Sequence, residues 1–143
     1  MLFGRKKREL VRVLIVEDEP LIAFDTEYFL REHGFDVVAT VDRVADALNI
    51  VASEDALHLV LVDMNLADGS GVPVARAAAA RGVAVLFVTS DCPEEAPMLA
   101  AGCLAKPYPQ RDLIAAIDAI ETVRSGGEPK RMPPQLNLFP RAA

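Results

Sequence analysis

The stretch His58-Leu59-Val60-Leu61-Val62-Asp63-Met64-Asn65-Leu66-Ala67-Asp68-Gly69-Ser70-Gly71 decides the fold. Its first part is a run of apolar residues with no polar alternation. A short run of that kind reads as a strand covered on both faces, as in a parallel sheet. The run ends abruptly in one carboxylate. Asn, Asp, Ser and Gly then mark a loop. In an open α/β sheet the carboxyl end of a strand is where sites assemble, which singles out Asp63.

Working outward from it, the pattern repeats. Upstream, Val11–Glu17 is another apolar run and ends in Glu17-Asp18-Glu19. Residues 20–33 read as a helix, with Pro20 in its first turn and Gly34 at its C-terminal cap. Leu21, Phe24 and Tyr28 share one apolar face, widened by Ile22 and Phe29, the pattern of a helix packed on a core. Phe35–Ala39 is a second strand. Residues 43–53 form a helix with Asp42 as its N-cap and Val44, Leu48 and Val51 as its stripe. Downstream, residues 73–81 form an Ala-rich helix ending at Gly82. Val83–Val88 is a fourth strand and Cys103–Ala105 a short fifth. Residues 109–124 form a last amphipathic helix on Leu113, Ile117, Ile120 and Val123. Between strands four and five, Pro97 stands four residues after Pro93, so the fourth helix is expected to be short or irregular.

Strands alternating with helices of this length predict α/β architecture. The expected fold is a doubly wound, five-stranded parallel sheet of the flavodoxin-like (βα)5 kind. Residues 11–124 form the domain. Residues 1–10 are a basic flank, solvated at Arg5–Arg8, and residues 125–143 a flexible tail with four prolines and two glycines. Within the tail, Leu136-Asn137-Leu138-Phe139 is a small apolar cluster, able to dock on a partner or to fold back on the body, although a free tail is the expectation.

Composition narrows the function classes. The chain has 143 residues and a net charge of −6. The first ten residues carry +3 and residues 125–143 carry +2, which leaves −11 on residues 11–124. Such an acidic body repels nucleic-acid phosphates, so no direct DNA binding is expected. No apolar run approaches the roughly 20 residues of a bilayer span. Val11–Val16, broken by Arg12 and followed by acids, makes a poor signal peptide, and a cytoplasmic location with no membrane insertion is expected. Cys92 and Cys103 fit no zinc spacing or disulfide framework and are expected to be reduced and mostly packed.

Each strand that ends at the same rim delivers a polar residue. These are Glu17 and Asp18 after strand one, Asp63 after strand three, Thr89 after strand four and Lys106 after strand five. Mg²⁺ takes hard oxygens from a few carboxylates plus water. Asp18 and Asp63 supply such oxygens, with Glu17 near and the Asn65 backbone carbonyl as a third. Crowded carboxylates call for a cation. Asp63 is also a candidate nucleophile, since a carboxylate can form an acyl phosphate. The Lys106 ammonium and the Thr89 hydroxyl suit the negative oxygens of a phosphoryl group. Singly, each residue has an ordinary structural reading; all of them in order at four strand ends form a far more specific signal.

These stretches resemble the receiver domains of two-component response regulators: Val13–Glu19, Leu59–Leu66, Phe87-Val88-Thr89-Ser90 and Ala105-Lys106-Pro107. The resemblance covers residues 11 to 124. It implies Asp63 as phosphoacceptor, Glu17 and Asp18 as the acidic pair, and Thr89 and Lys106 as phosphate ligands. It also implies a sensor histidine kinase or histidine phosphotransferase as partner. Many receivers carry an aromatic switch residue three positions before the lysine, where this chain has Cys103. Phe87-Val88-Thr89 and the weak fourth helix are similar to an atypical single-domain alphaproteobacterial subgroup with a Phe-Ala-Thr-Gly-like motif.

The expected function is therefore phospho-dependent signalling with Mg²⁺ as cofactor. Output is expected through a downstream protein partner or onward phosphate transfer, and the chain is not expected to be an enzyme. A phospho-independent interaction module is the alternative. A phosphohydrolase with an aspartate nucleophile fits less well, because Asn65 stands where its acid/base carboxylate is wanted. A nucleotide site fits worst, since Gly69-Ser70-Gly71 follows strand three, not strand one.

Overall fold

The computed structural model describes residues 8–139. The apolar runs become strands β1 (Arg12–Val16), β2 (Asp36–Val41), β3 (Leu59–Val62), β6 (Ala84–Thr89) and β7 (Gly102–Ala105). They are joined by α1 (Pro20–Glu32), α2 (Val44–Ser53), α3 (Val72–Ala80), α4 (Ala96–Leu99) and α5 (Gln110–Arg124). The sheet order is β2-β1-β3-β6-β7 followed by a sixth strand, β8 (Leu136–Leu138), and every neighbouring pair up to β7 is parallel. The chain order therefore reverses between β1 and β3, the point at which doubly wound sheets build their sites. The loop after Asp63 folds into a two-rung hairpin of β4 (Asn65–Leu66) and β5 (Gly69–Ser70).

Two apolar layers cover the sheet. One joins Leu30 of α1 and Leu113, Ile117 and Ile120 of α5 to Val13, Ile15, Leu59, Leu86 and Leu104. The other joins α2, α3 and Ala96 of α4 to Leu14, Val60, Val62, Val85 and Phe87. Central strands feed both layers, which is why their sequences are continuous apolar runs. The fourth helix is only four residues long, and Pro97 stands in its first turn, the helical position that tolerates proline.

Four expectations are corrected. The first concerns α1, which presents Ala23 and Leu30 to the core and leaves Leu21, Phe24 and Tyr28 at 80%, 68% and 60% exposure. The apolar face read from the sequence is real, but it points to solvent. The second is the cap of α2. The residue preceding that helix is Arg43, with no side-chain cap; the carboxylate of Asp68, across the loop, accepts the N–H groups of Val44 and Ala45 instead (2.6 and 3.3 Å).

The third is the N-terminal boundary. The basic residues 5–7 lie outside the described residues. Arg8, however, pairs with Asp118 and Glu121 of α5 and stacks on Phe35. Leu10 is in the core, and the N–H groups of Glu9 and Leu10 donate to Glu121. The fourth is the tail. It is not free throughout: β8 (Leu136–Leu138) pairs antiparallel with β7 and adds a sixth strand to the expected five. Leu136 is buried there.

The hairpin approach depends on Gly71. Its φ of −74° would suit any residue. Space is what demands glycine: an added Cβ would run into the Asp63 carbonyl oxygen and stand 2.8 Å from Val62 Cγ2. Gly71→Ala is therefore expected to lower stability by about 2 kcal/mol, the usual scale of overpacking, in urea denaturation. An unchanged midpoint would show that the hairpin yields freely.

Candidate functional site

The carboxyl ends of β1, β3, β6 and β7 bring all the expected side chains to one rim. Lys106 follows β7 and reaches across the sheet. Its Nζ donates to Glu17 Oε1 at 2.6 Å and to Asp63 Oδ2 at 2.8 Å. Glu17, Asp63 and Thr89 are buried, and Asp18 is half-buried. The backbone anchors this arrangement: Asp63 N–H donates to the Val16 carbonyl, and Lys106 N–H to that of Thr89.

Asp63 Oδ1 accepts the Asn65 N–H at 3.4 Å. Thr89 Oγ1 accepts the N–H of Asp91 at 3.2 Å, which ties the following loop to the site.

One residue was missed by sequence reasoning. Glu17, Asp18, Glu19 and Asp63 each place a carboxylate oxygen within 4.8 Å of the others, and Glu19 Oε1 also lies 3.9 Å from Lys106 Nζ. Its adjacency to the acidic pair was the available signal; exposure at the head of α1 hid its relevance. A cluster of hard oxygens this dense fits a divalent cation such as Mg²⁺. Asn65 is brought to the same loop, beside Asp63.

Electrostatics separate the two buried acids. Burial raises the pKa of Glu17, and the Lys106 hydrogen bond and charge offset that only in part, so it lies above the usual carboxylate value. Burial also opposes the charge on Asp63. There the Lys106 bond and charge, the Asn65 N–H and the Thr89 hydroxyl together prevail and hold the carboxyl below its usual value. For Lys106, burial disfavours the ammonium, but Asp63 and Glu17 outweigh it and raise its pKa. Of these two buried acids, Asp63 is thus the one favoured as a carboxylate, the state a nucleophile needs.

The cysteines divide. Cys103 is buried, opposite Phe87 on one side and Asn137 on the other, while Cys92 is exposed, contrary to the expectation of packing. Burial pushes the Cys103 thiol far up, so it behaves as a small apolar filler.

Comparison with known proteins agrees with this fold. Residues 13–118 match the model of the response regulator receiver domain. The chain is 33% identical over 125 residues to the sensory transduction protein RegX3 of Mycobacterium tuberculosis, covering 83% of this chain and 53% of that protein. Among solved structures, SdrG from Sphingomonas melonis Fr1 is similar at TM-score 0.69 and 33% identity, covering 80% of this chain and 99% of that one. A CheY-like receiver domain protein from Methanospirillum hungatei matches at TM-score 0.71 and 26% identity, over 82% and 99%. The chain spans about half the length of the curated relative.

Proposed function

The chain belongs to the response-regulator receiver family of two-component signalling, and from that premise we propose that Asp63 accepts a phosphoryl group and that the signal leaves by protein contact. The observation that carries this reading is the Lys106 ammonium bridging Glu17 and Asp63 beside a cluster of four carboxylates. Asp63 attacks phosphorus through one oxygen, and the donor's imidazole, or the carboxylate of a small acyl phosphate, leaves. Lys106 and Thr89 then receive the equatorial oxygens. Asp18 and Asp63, with Glu17 and Glu19 near and the Asn65 carbonyl as a further ligand, would hold Mg²⁺, and the ion would supply positive charge against the phosphoryl oxygens. No described helix is long and apolar enough to cross a membrane, and we assign the protein to the cytoplasm.

The phosphodonor is a histidine kinase or histidine phosphotransferase, and α1 is where it docks. This helix starts immediately after the acidic cluster and exposes Leu21, Phe24 and Tyr28. An apolar patch beside a site marks a contact surface. Phe24→Ala with Tyr28→Ala is expected to change stability by less than about 0.5 kcal/mol, because both are exposed. Transfer from the phosphorylated histidine donor should fall at least about tenfold, since aromatic anchors dominate contacts, with labelling by acetyl phosphate unchanged. Equal losses from both donors would place the residues in the chemistry instead.

Because Cys103 stands where receivers often have an aromatic switch, output does not use such a rotamer. It runs through residues 90–102, tied to the site by the Asp91–Thr89 bond. Slowed hydrogen exchange over that segment on phosphorylation is the expected sign.

The test of the whole reading is intact mass after treatment with acetyl phosphate and Mg²⁺. One phosphoryl adduct is expected, and none with chelator. Failure to form the adduct together with failure to bind beryllofluoride would favour the phospho-independent module, the reading that the absent aromatic at Cys103 supports.

A further inference from the structure

The strand β8 occupies a place made for it. It lies along the outer edge of β7 in the register Gly102↔Leu138, Cys103↔Asn137 and Leu104↔Leu136. Bonds from Ala105 N–H to the Gln135 carbonyl (3.0 Å) and from Phe139 N–H to the Ala101 carbonyl (2.9 Å) extend the ladder at both ends. Glycine is a costly choice inside a buried strand, and Gly102 has one visible reason to be there. The three nearest atoms that a Cβ at that position would meet all belong to β8: Asn137 O at 2.9 Å, Leu138 Cδ2 at 3.4 Å and Leu136 Cδ1 at 3.5 Å. The edge is shaped to take an extended chain at close range.

The resident holds this place weakly. Its ladder is short, and residues 125–135 leading to it form no helix or strand and contain Gly126, Gly127, Pro129, Pro133 and Pro134. Docking also leaves Gln135 Oε1 buried without a hydrogen-bond partner, a penalty that undocking removes. Beside β8 lies an apolar cleft of about 480 Å³, lined by Met98, Leu99, Val123, Leu138 and Phe139 among others. A bulkier occupant of the β7 edge would reach into it.

We propose that the β7 edge is a docking site for an extended segment of a protein partner, and that Gln135–Phe139 is its displaceable resident. The resident shows the chemistry required. Leucines at alternate positions pack toward α5, an aromatic residue follows on the other face, and the intervening position is polar and faces water. Charge adds a condition. The resident arrives on a stretch that carries +2, against a body carrying −11, so the partner's segment is flanked by basic residues. Two copies of the acidic body repel each other, which favours a partner over a second copy. Strand addition of this kind draws affinity from main-chain bonds and specificity from alternate side chains. A tethered resident competes at high effective concentration, so the partner enters once β8 is lifted. The inference does not depend on phosphoryl chemistry.

The test uses the full chain and a fluorescein-labelled synthetic peptide of residues 129–141, read by anisotropy. Asn137→Pro deletes a ladder N–H at an exposed position without altering any core side chain; Leu138→Asp is a second way to lift the strand. Both variants are expected to bind the peptide saturably and at least tenfold more tightly than wild type. Adding Gly102→Val to either should abolish binding. A variant that keeps its near-UV spectrum yet binds no better than wild type, or binds a scrambled peptide equally, would overturn the proposal. So would a wild-type dimer in sedimentation that Asn137→Pro dissociates, since that result would assign the edge to a second copy.

Discussion

Asp63→Asn is expected to reduce phosphoryl incorporation from acetyl phosphate to below detection while leaving the fold in place. The physical argument has two parts. An amide oxygen has neither the charge nor the basicity to attack phosphorus, and its attack would give an O-phosphoryl imidate rather than an acyl phosphate. At the same time the shape of the residue is kept. Lys106 retains its 2.6 Å bond to Glu17, and the Asn65 N–H still meets an oxygen at position 63. Removing one of several crowded carboxylates also relieves repulsion. Stability should therefore change by no more than about 1 kcal/mol, far less than the loss of a buried ion pair. Intact mass with Mg²⁺ and urea denaturation of the same sample separate chemistry from folding. An adduct that persists in the variant would place the phosphoacceptor on another residue.

Lys106→Met is expected to have the largest effect on stability, and to show it in a pH-dependent way. The ammonium is 14% exposed, and its partners Glu17 and Asp63 are 6% and 8% exposed. Without it, two buried carboxylates face each other with no cation. Breaking such a pair costs on the order of 3 kcal/mol, expected at pH 7 in chelator. The sign with pH follows from linkage. Without Lys106 both carboxyls are raised in the folded state, so folding binds protons as pH falls through the raised values. The gap between variant and wild type should therefore be widest at neutral pH and close toward about pH 4, near the unfolded values of these acids.

The wild type differs at each group. Asp63, held below its usual value, contributes stability that is present above the unfolded value and lost as pH falls through the folded one. Glu17, raised, offsets part of this. Lys106, raised, contributes below its ordinary 10.5 and loses that contribution as pH rises past its folded value. Mg²⁺ should narrow the gap, because a divalent charge replaces the missing ammonium and stabilises whichever folded form binds it. Urea midpoints from pH 4 to 8, with and without Mg²⁺, make the measurement. A gap that stays flat with pH, or is unaffected by Mg²⁺, would show that the cluster is not governed by charge.

Much of the site was legible because each of its residues stands next to a strong local signal. Asp63, Thr89 and Lys106 each close an apolar run, and a buried parallel strand cannot be mistaken for a half-exposed one when no polar residue interrupts it. Glu19 was missed because it lies one step beyond its strand on the exposed head of α1, where an acid reads as solvated. Asp42 is the acid nearest the head of α2 in sequence, yet it is not the group that caps the helix. Asp68 reaches the same N–H groups from 24 residues away, a distance that no local pattern reports.

Helix α1 shows the limit of periodicity. Leu21, Phe24 and Tyr28 do share a face, but an amphipathic pattern states only that one face is apolar, not what covers it. Here Ala23 and Leu30 fit against the sheet, and the larger residues are left outside. The sequence by itself determined the five parallel strands, their order along the chain and the identity of the groups at their ends, because burial on both faces and strand-end polarity are written in consecutive residues. The tertiary structure alone decided which way α1 turns, that Lys106 spans Glu17 and Asp63, and that Leu136–Leu138 adds a strand. Those outcomes depend on surfaces that exist only once the sheet has assembled, and a three-residue strand has no periodicity of its own with which to announce a partner.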